Sequence, residues 1–273
     1  MSRKGRRHRW SAIERDLRRS GRSLIAGVDE VGRGSLAGPV VACAVIMPAE
    51  GRAIAGVNDS KQLTAAQRSV LAVRIRERAV AISLGAASAR EIDRFNVYHA
   101  TVLAMRRALR RLRVVPDHVI IDGRPIRTLE IPHVGVIGGD RRCFSVACAS
   151  IVAKVTRDRL MHALGRRHAA YGWDRNVGYG TPVHWSALDA VGRCAHHRGS
   201  FLTPWQLALE LEPAEAAVAQ PVVDEAMADD LFTDGLLTDG LLTEDLATPG
   251  AVAGGVPSQV PPQLGEDGNR GRA

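Results

Sequence analysis

Residues 24–47 read LIAGVDEVGRGSLAGPVVACAVIM. Two apolar runs flank a glycine-rich turn, which predicts two strands paired as a hairpin and a backbone that a ligand can approach closely. Asp29 and Glu30 end the first run, and adjacent side chains on a strand point to opposite faces, so they cannot both enter one core. Carboxylates at a strand end suit Mg²⁺ or Mn²⁺, which prefer oxygen ligands. A lone acidic pair is more often a solvated strand end, so this stretch leaves both interpretations open.

Two later strands are also followed by acids. Residues 118–121 form an uninterrupted β-prone run, typical of a strand buried on both faces, and Asp122 follows it. Residues 131–137 predict a further strand, and Asp140 comes shortly after its end. Ligands collect at strand ends in α/β sheets. Three strand ends that each present acids therefore predict one shared site.

Helices are predicted between and after these strands. Thr64 with Gln67 and Ser88 with Glu91 form capping-box patterns. They predict helices that end at about residues 80 and 112, with a strand over 81–86 between them. Further helices are expected over 146–168, 185–191 and 204–211. Strands that alternate with helices predict one mixed α/β domain.

Charge is unevenly distributed along the chain. Residues 1–212 contain 35 basic and 18 acidic residues, whereas residues 213–273 contain 11 acidic and 2 basic residues. A body this basic favours a nucleic-acid partner. A basic protein without such a partner fits the charge alone about as well.

The composition predicts three segments. Residues 1–23 carry nine Lys or Arg and no clear apolar period, so we expect a flexible basic arm that either attracts phosphates or aids solubility. Residues 24–212 are the expected folded domain. Residues 213–273 are rich in Ala, Pro, Gly and acids and include the imperfect repeat TDGLLTDGLLTEDL, which favours a disordered tail. A short linear motif or an acidic mimic of nucleic acid are the alternatives for that tail.

The remaining composition points to a cytoplasmic protein. Its four cysteines show no CxxC spacing, which is typical of reduced thiols in the cytosol. No apolar run approaches the ~20 residues of a membrane span, and no signal-peptide core follows the basic N-terminus. We expect a cytoplasmic monomer that does not contact membranes.

Several motifs together resemble one family. GVDEVGRGSLAGPV, around Asp29, resembles the N-terminal signature of ribonuclease HII, the type 2 ribonuclease H family. Further matches follow in order over residues 24–211: NDSKQL (58–63), EID (91–93), IIDG (120–123), GGD (138–140), ASIVAKVTRDRLM (149–161) and GYGT (178–181). The resemblance implies a ribonuclease H-like fold, a central mixed sheet flanked by helices. It also implies an endoribonuclease that hydrolyses the RNA strand of RNA–DNA hybrids and cuts 5′ to ribonucleotides embedded in duplex DNA, leaving 3′-OH and 5′-phosphate ends.

The resemblance assigns a metal site to four carboxylates. The positions that match the family's metal-binding catalytic acids are Asp29, Glu30, Asp122 and Asp140. The implied cofactor is Mn²⁺ or Mg²⁺, with Asp29 as the candidate bridging ligand. Several acids are needed because one or two could not offset the repulsion between two dications. Asp158 is a rival for the fourth place, although its helical context favours a structural or capping role.

The resemblance also assigns substrate contacts. The loop that contacts the ribonucleotide through its backbone corresponds to Gly32, Arg33 and Gly34. A 2′-OH is both donor and acceptor, and it distinguishes RNA from DNA. Tyr179 matches a tyrosine that stacks on the sugar beside the ribonucleotide, and Lys61 and Lys154 match phosphate contacts. Without the family, both lysines would be interpreted as surface residues.

Other functional classes fit less well. Gly32, Gly34 and Ala37 satisfy a dinucleotide fingerprint, but an apolar strand follows where that motif requires a helix. No phosphate-loop motif is present, and the histidines show no zinc-ligand spacing. Ribonuclease HIII, an enzyme family related to ribonuclease HII, is a further rival, but its members would be expected to lack the GRG segment. A catalytically silent hybrid-binding protein and a DNA nuclease or recombinase of the same fold are the alternative functions.

Overall fold

The structure, a computed structural model, describes residues 12–50 and 53–202. Its five strands are β1 (Ile25–Val31), β2 (Val40–Ile46), β3 (Ala81–Ala87), β4 (His118–Asp122) and β5 (His133–Val136). Its helices are α1 (Ala12–Arg19), α2 (Ala65–Arg78), α3 (Ala89–Arg110), α4 (Gly139–Arg142), α5 (Phe144–Arg167), α6 (Trp173–Asn176), α7 (Pro182–Val191) and α8 (Gly199–Leu202). Two 3₁₀ turns cover Ser60–Gln62 and Ala169–Tyr171. The helix expected over 204–211 and the tail lie outside the described residues.

The strands form one mixed sheet in the order β3-β2-β1-β4-β5. β1 pairs antiparallel with β2, which confirms the predicted hairpin, and β2 pairs antiparallel with β3. β4 pairs parallel with both β1 and β5. Helices cover the sheet on both faces, so the predicted fold class is confirmed.

The two faces of the sheet bury two separate cores. In β2, Val41, Cys43 and Val45 join the core that includes α2 and α5. Val40, Ala42, Ala44 and Ile46 join the core formed with α3. Because side chains alternate along a strand, a strand that is apolar at every position is the sequence expected for a sheet covered on both sides.

Helix α5 approaches β1 so closely that no side chain fits between them. A Cβ atom added at Gly27 would lie 2.2 Å from the carbonyl carbon of Ser145. The glycine therefore lets the first turn of α5 rest on the strand itself. This contact places α5 directly against the strand that carries Asp29.

Both capping boxes form as predicted. At the start of α2, the Thr64 hydroxyl accepts from the Gln67 backbone N–H, and the Gln67 side chain accepts from the Thr64 backbone N–H. Ser88 and Glu91 form the same two hydrogen bonds at the start of α3.

Two elements depart from regular or predicted geometry. Asn96 has a φ of 63°, and it kinks α3 within its second turn. β5 is shorter than the predicted 131–137.

None of the four cysteines, which all lie within the described residues, forms a disulfide. Within residues 12–50 and 53–202, none of the helices combines the length and the apolar character needed to cross a bilayer.

The prediction of a flexible basic arm is wrong for residues 12–23. Residues 12–19 form α1, whose Ile13 and Leu17 pack on a small core beneath β1, β4 and α5. Glu14 is fully buried and accepts hydrogen bonds from the backbone N–H groups of Phe144 and Ser145 at 3.2 and 2.9 Å, and from the Ser145 hydroxyl at 2.7 Å. The first N–H groups of a helix lack partners within the helix, and the residue before α5 provides no side-chain cap. Glu14 is the cap of α5, supplied from a distant part of the chain.

Glu14→Gln is expected to destabilise the fold. The substitution removes the negative charge that accepts from the start of α5, and hydrogen bonds to charged groups contribute about 1.5–3 kcal/mol each. We expect a loss of about 2 kcal/mol in the free energy of unfolding, measured by urea denaturation. Glu77→Gln, at an exposed position on α2, is the matched control and should stay within about 0.5 kcal/mol of wild type. Equal stability of the two variants would contradict the capping role of Glu14.

Candidate active site

A pocket of about 240 Å³ opens at the carboxyl ends of β1 and β4. Its lining combines carboxylates, lysines, two hydroxyls and one aromatic ring. The lining residues are Asp29, Glu30, Val31, Ser60, Lys61, Asp122, Asp140, Ser150, Lys154 and Tyr179. All four acids singled out from the sequence thus lie around one cavity.

The sheet register brings three of these acids together. Val28 is opposite Ile121 in the parallel pair of β1 and β4, so the next residues, Asp29 on β1 and Asp122 at the end of β4, lie on neighbouring strands at the same edge. Asp122 also accepts a hydrogen bond from the Gly139 backbone N–H at 2.7 Å. That bond ties the start of α4, and with it Asp140, to the end of β4.

Asp29 is held by two neighbouring groups. One of its carboxylate oxygens accepts from the Glu30 backbone N–H at 2.8 Å, and Ser150 on α5 also hydrogen-bonds to it. The Ser150 hydroxyl is 2.9 Å from the hydroxyl of Ser60. Burial, followed by the charge of Glu30, raises the pKa of Asp29 well above its ordinary value. The protein alone therefore provides too little positive charge and too few hydrogen bonds to stabilise the ionised form of Asp29 fully.

Glu30 lies beside Asp29 with one oxygen lacking a partner. Its Oε1 accepts from the Arg33 guanidinium at 3.2 Å. Its Oε2 is buried and has no hydrogen-bond partner among the described residues. Burial raises the pKa of Glu30 although the Arg33 charge opposes the shift. A buried carboxylate oxygen without a donor is what a bound cation would satisfy.

Asp140 completes the acidic lining at the other side of the pocket. Burial raises its pKa, and the charges of Asp122 and Asp59 add to that shift. Arg141 places its Nε 3.9 Å from an oxygen of Asp59 and 3.9 Å from an oxygen of Asp140. Asp59 is itself buried and was not recognised from the sequence.

Asp158 is placed differently from its rival, Asp140. Its Oδ1 is 2.7 Å from the Lys154 Nζ, four residues earlier on α5. It does not belong to the pocket lining, whereas Lys154 does. The structure thus brings Asp140 to the other acids and gives Asp158 a position behind Lys154.

The Gly32-Arg33-Gly34 segment begins directly after Val31, at the edge of the pocket. Arg33 turns back toward Glu30, and its side chain is 52% exposed. Tyr179 also lines the pocket, and its ring centroid lies 5.8 Å from the guanidinium carbon of Arg157. The segment thus begins beside the pocket that Tyr179 lines.

Some residues around the site were missed at the level of sequence. Ser150 lies four positions before Lys154, so both occupy one face of α5, and that spacing was the available signal. Ser60 is part of the NDSKQL motif. The hydroxyl pair itself joins residues 90 positions apart in the chain, which no local pattern indicates.

The donor set suits a hard divalent cation. All the charged oxygens come from carboxylates, which Mg²⁺ and Mn²⁺ prefer. Glu30, which has one unpartnered oxygen, lines the pocket together with three further acids. Over residues 12–50 and 53–202, no three His, Cys, Asp or Glu side chains are spaced as a ready-made ligand set.

Comparisons with known proteins agree with this architecture. A sequence profile described as ribonuclease HII matches residues 26–204. The ribonuclease HII of Thermosynechococcus vestitus is 56% identical over 184 residues, covering 67% of this chain and 85% of that protein. That of Granulibacter bethesdensis is 49% identical over 201 residues, covering 72% and 92%. The crystal structure of ribonuclease H2 from Pyrococcus horikoshii OT3 superposes with a TM-score of 0.55 at 26% identity, covering 68% of this chain and 97% of that one.

The fold and the acid-lined pocket define a nuclease of the ribonuclease H-like class. Within that class, the chain belongs to the ribonuclease HII family, which confirms the resemblance inferred from the motifs. It is accordingly a hydrolytic endoribonuclease.

Asp29→Asn is expected to leave the stability of the metal-free protein unchanged or to raise it. The pKa of Asp29 is higher in the folded protein than in the unfolded chain, where it has its ordinary value of about 4. The Asp29 carboxyl group therefore stabilises the fold fully only below about pH 4, and this stabilisation is lost as the pH rises through the folded pKa. The gain of the variant over wild type should therefore grow from pH 4 to pH 7.5 and reach a Tm difference of up to about 4 °C, or roughly 1 kcal/mol.

This pH series is measured by thermal unfolding in the presence of a chelator. Asp189→Asn, at an exposed position on α7, is the control and should follow wild type at every pH. An Asp29→Asn protein that melts below wild type at pH 7.5 would show that the carboxylate stabilises the fold, contrary to this account.

Proposed function

We propose that this chain uses divalent metal ions to hydrolyse the RNA strand of RNA–DNA hybrids and to cut on the 5′ side of single ribonucleotides embedded in duplex DNA. The products would carry 3′-OH and 5′-phosphate ends. Membership of the ribonuclease HII family supports the action on RNA–DNA hybrids. The observation that carries the proposal is the convergence of four acids, two lysines and a tyrosine on one pocket.

Asp29, Glu30, Asp122 and Asp140 would hold the metal, Mg²⁺ or Mn²⁺. When bound, such ions help to generate the attacking hydroxide and stabilise the leaving oxygen of a phosphodiester. Asp29 would be the bridging ligand, because the charges of both Glu30 and Asp122 act on it. Ser150 orients its carboxylate through the hydrogen bond described above.

The groups around the acids would bind the nucleic acid. Lys61 and Lys154 line the pocket and would contact phosphates beside the scissile bond as point charges. The backbone of Gly32, Arg33 and Gly34 would bind the 2′-OH, which distinguishes a ribonucleotide from a deoxynucleotide. Tyr179 would stack on the sugar at the neighbouring position, where the chain changes from RNA to DNA. The basic body would attract the duplex as a whole.

The first test uses a DNA duplex with a single ribonucleotide, incubated with Mg²⁺ or Mn²⁺. Wild type and Asp189→Asn should make one cut 5′ to the ribonucleotide, whereas Asp29→Asn should lose at least about 100-fold in rate because a metal ligand is removed. Product ends are identified by ligation and phosphatase treatment. Tight binding without product would favour the silent hybrid-binding protein, and cleavage of an all-DNA duplex would favour a DNA nuclease of the same fold.

The second test separates recognition of the junction from binding. Tyr179→Ala should reduce the cleavage rate at a single ribonucleotide by about 10-fold, which is the effect of losing one stacking contact of about 1–3 kcal/mol. The Kd for the same duplex should change less than about 3-fold, because that contact would act on the cleavage step while the basic body would supply most of the binding. Tyr98→Ala is the matched control, since Tyr98 is 52% exposed on α3 and does not line the pocket. An equal loss of cleavage and binding would remove Tyr179 from junction recognition.

A further inference from the structure

Two arginines below the active site are completely buried. Arg157 on α5 and Arg198, just before α8, both have no exposed surface. Neither takes part in a salt bridge within the part of the chain that the structure describes. Burial lowers the pKa of both, that of Arg198 to about 9 with the charge of Arg157 as a further cause. Burying a charge without a counter-charge is costly unless hydrogen bonds replace its hydration.

Backbone carbonyls take the place of water around Arg198. Its Nη1 donates to the Arg33 carbonyl at 2.8 Å, and its Nη2 donates to the Gly32 carbonyl at 2.6 Å. Its Nε and Nη2 both donate to the Gly38 carbonyl, at 3.0 and 2.8 Å. One guanidinium thus holds both ends of the loop that contains the Gly32-Arg33-Gly34 segment.

Arg157 connects the same loop to the tyrosine segment. Its Nε donates to the Pro39 carbonyl at 2.9 Å and its Nη2 to the Ala37 carbonyl at 3.1 Å. Its Nη1 donates to the Val177 carbonyl at 2.9 Å, two residues before Tyr179. The same guanidinium lies beneath the Tyr179 ring.

The loop backbone packs directly against the buried Arg157 side chain at Gly32. A Cβ atom at Gly32 would lie 2.1 Å from the Nε of Arg157, and the φ of Gly32 is +91°. Only glycine meets both requirements. The first glycine of the segment is therefore required by the guanidinium behind it, independently of any contact with substrate in front.

Direct backbone bonds join the two segments. The N–H groups of Leu36 and Ala37 donate to the Gly178 carbonyl at 2.8 and 3.2 Å, and the Arg198 N–H donates to the Leu36 carbonyl at 2.9 Å. The Gly32–Pro39 loop and the residues before Tyr179 consequently form one unit. The two arginines supply the side-chain bonds that keep this unit together.

We propose that Arg157 and Arg198 are positioning residues that fix the distance between the Gly32-Arg33-Gly34 backbone and the Tyr179 ring, and so determine whether a single ribonucleotide is recognised. The inference rests on the proposed function, in which the backbone of this segment binds the 2′-OH and the Tyr179 ring stacks on the neighbouring sugar. A single ribonucleotide has to make both contacts at one place. An RNA strand offers a 2′-OH at every position and is less sensitive to their spacing.

The test compares Arg157→Lys and Arg198→Lys with wild type on two substrates. Lysine keeps the charge but has one nitrogen, so it cannot donate in the fixed directions of a guanidinium. On a duplex with one ribonucleotide, kcat should fall by about 10- to 100-fold, because a displacement of 1 Å can cost about 100-fold in rate. On an RNA–DNA hybrid kcat should fall less than about 3-fold, and KM should change less than about 3-fold on both.

Arg175→Lys is the matched control. Its side chain is 90% exposed on α6, close to the tyrosine segment, and both rates should equal those of wild type. A double-mutant cycle adds Arg157→Lys to Tyr179→Ala. If Arg157 acts through the tyrosine, the second substitution should cause little further loss at the single ribonucleotide.

The outcomes are distinguishable. Failure of wild type to cut either substrate would refute the proposed function itself. Cleavage by wild type with equal losses on both substrates in the variants would overturn only the positioning role, leaving the arginines as general stabilisers. Failure of both lysine variants to fold, or additive losses in the double-mutant cycle, would overturn it as well.

Discussion

Parallel pairing of β1 with β4 is the constraint on which the site depends. Because the two strands run in the same direction and lie side by side, their final acids must meet at one edge of the sheet. The Asp122 side chain then binds the start of α4 through Gly139 and brings Asp140 to the same edge. The result is a group of buried carboxylates that lie close together. Burial, and to a smaller extent the charges of neighbouring acids, raises the pKa values of Asp29, Glu30 and Asp140. Such an arrangement costs folding free energy, and a bound cation would offset the repulsion between the carboxylates.

Helix α5 is the second element that organises the site. It packs on β1 at Gly27. Three residues along the helix then contact the site: Ser150 hydrogen-bonds to Asp29, Lys154 lines the pocket, and Arg157 donates to loop carbonyls. Its own start is capped by Glu14. A displacement at the beginning of the helix would therefore be transmitted to Asp29, to Lys154 in the pocket and to the tyrosine segment together.

Much of this architecture was predictable from local signals. Capping boxes located the starts of α2 and α3, apolar runs located the strands, and acids after strand ends indicated the pocket. These signals work because hydrogen-bond needs at helix ends and burial of a two-sided sheet act within a few residues.

The features that were missed depend on tertiary contacts. Glu14 occurs in a segment dominated by arginines, and nothing local shows that it reaches residues 130 positions later. Arg157 and Arg198 were not selected because a buried arginine and an exposed one look alike in a sequence. Their burial becomes evident only when the carbonyl groups that solvate them are seen.

The most direct test of this account is diffraction from crystals grown with Mn²⁺, recorded so that manganese scatters anomalously. The account predicts anomalous density within about 2.5 Å of an Asp29 oxygen, with Glu30, Asp122 or Asp140 as neighbouring ligands, and loss of that density in Asp29→Asn crystals. Density at another site only, or a peak that persists unchanged in the variant, would contradict the assignment of these acids to a metal centre.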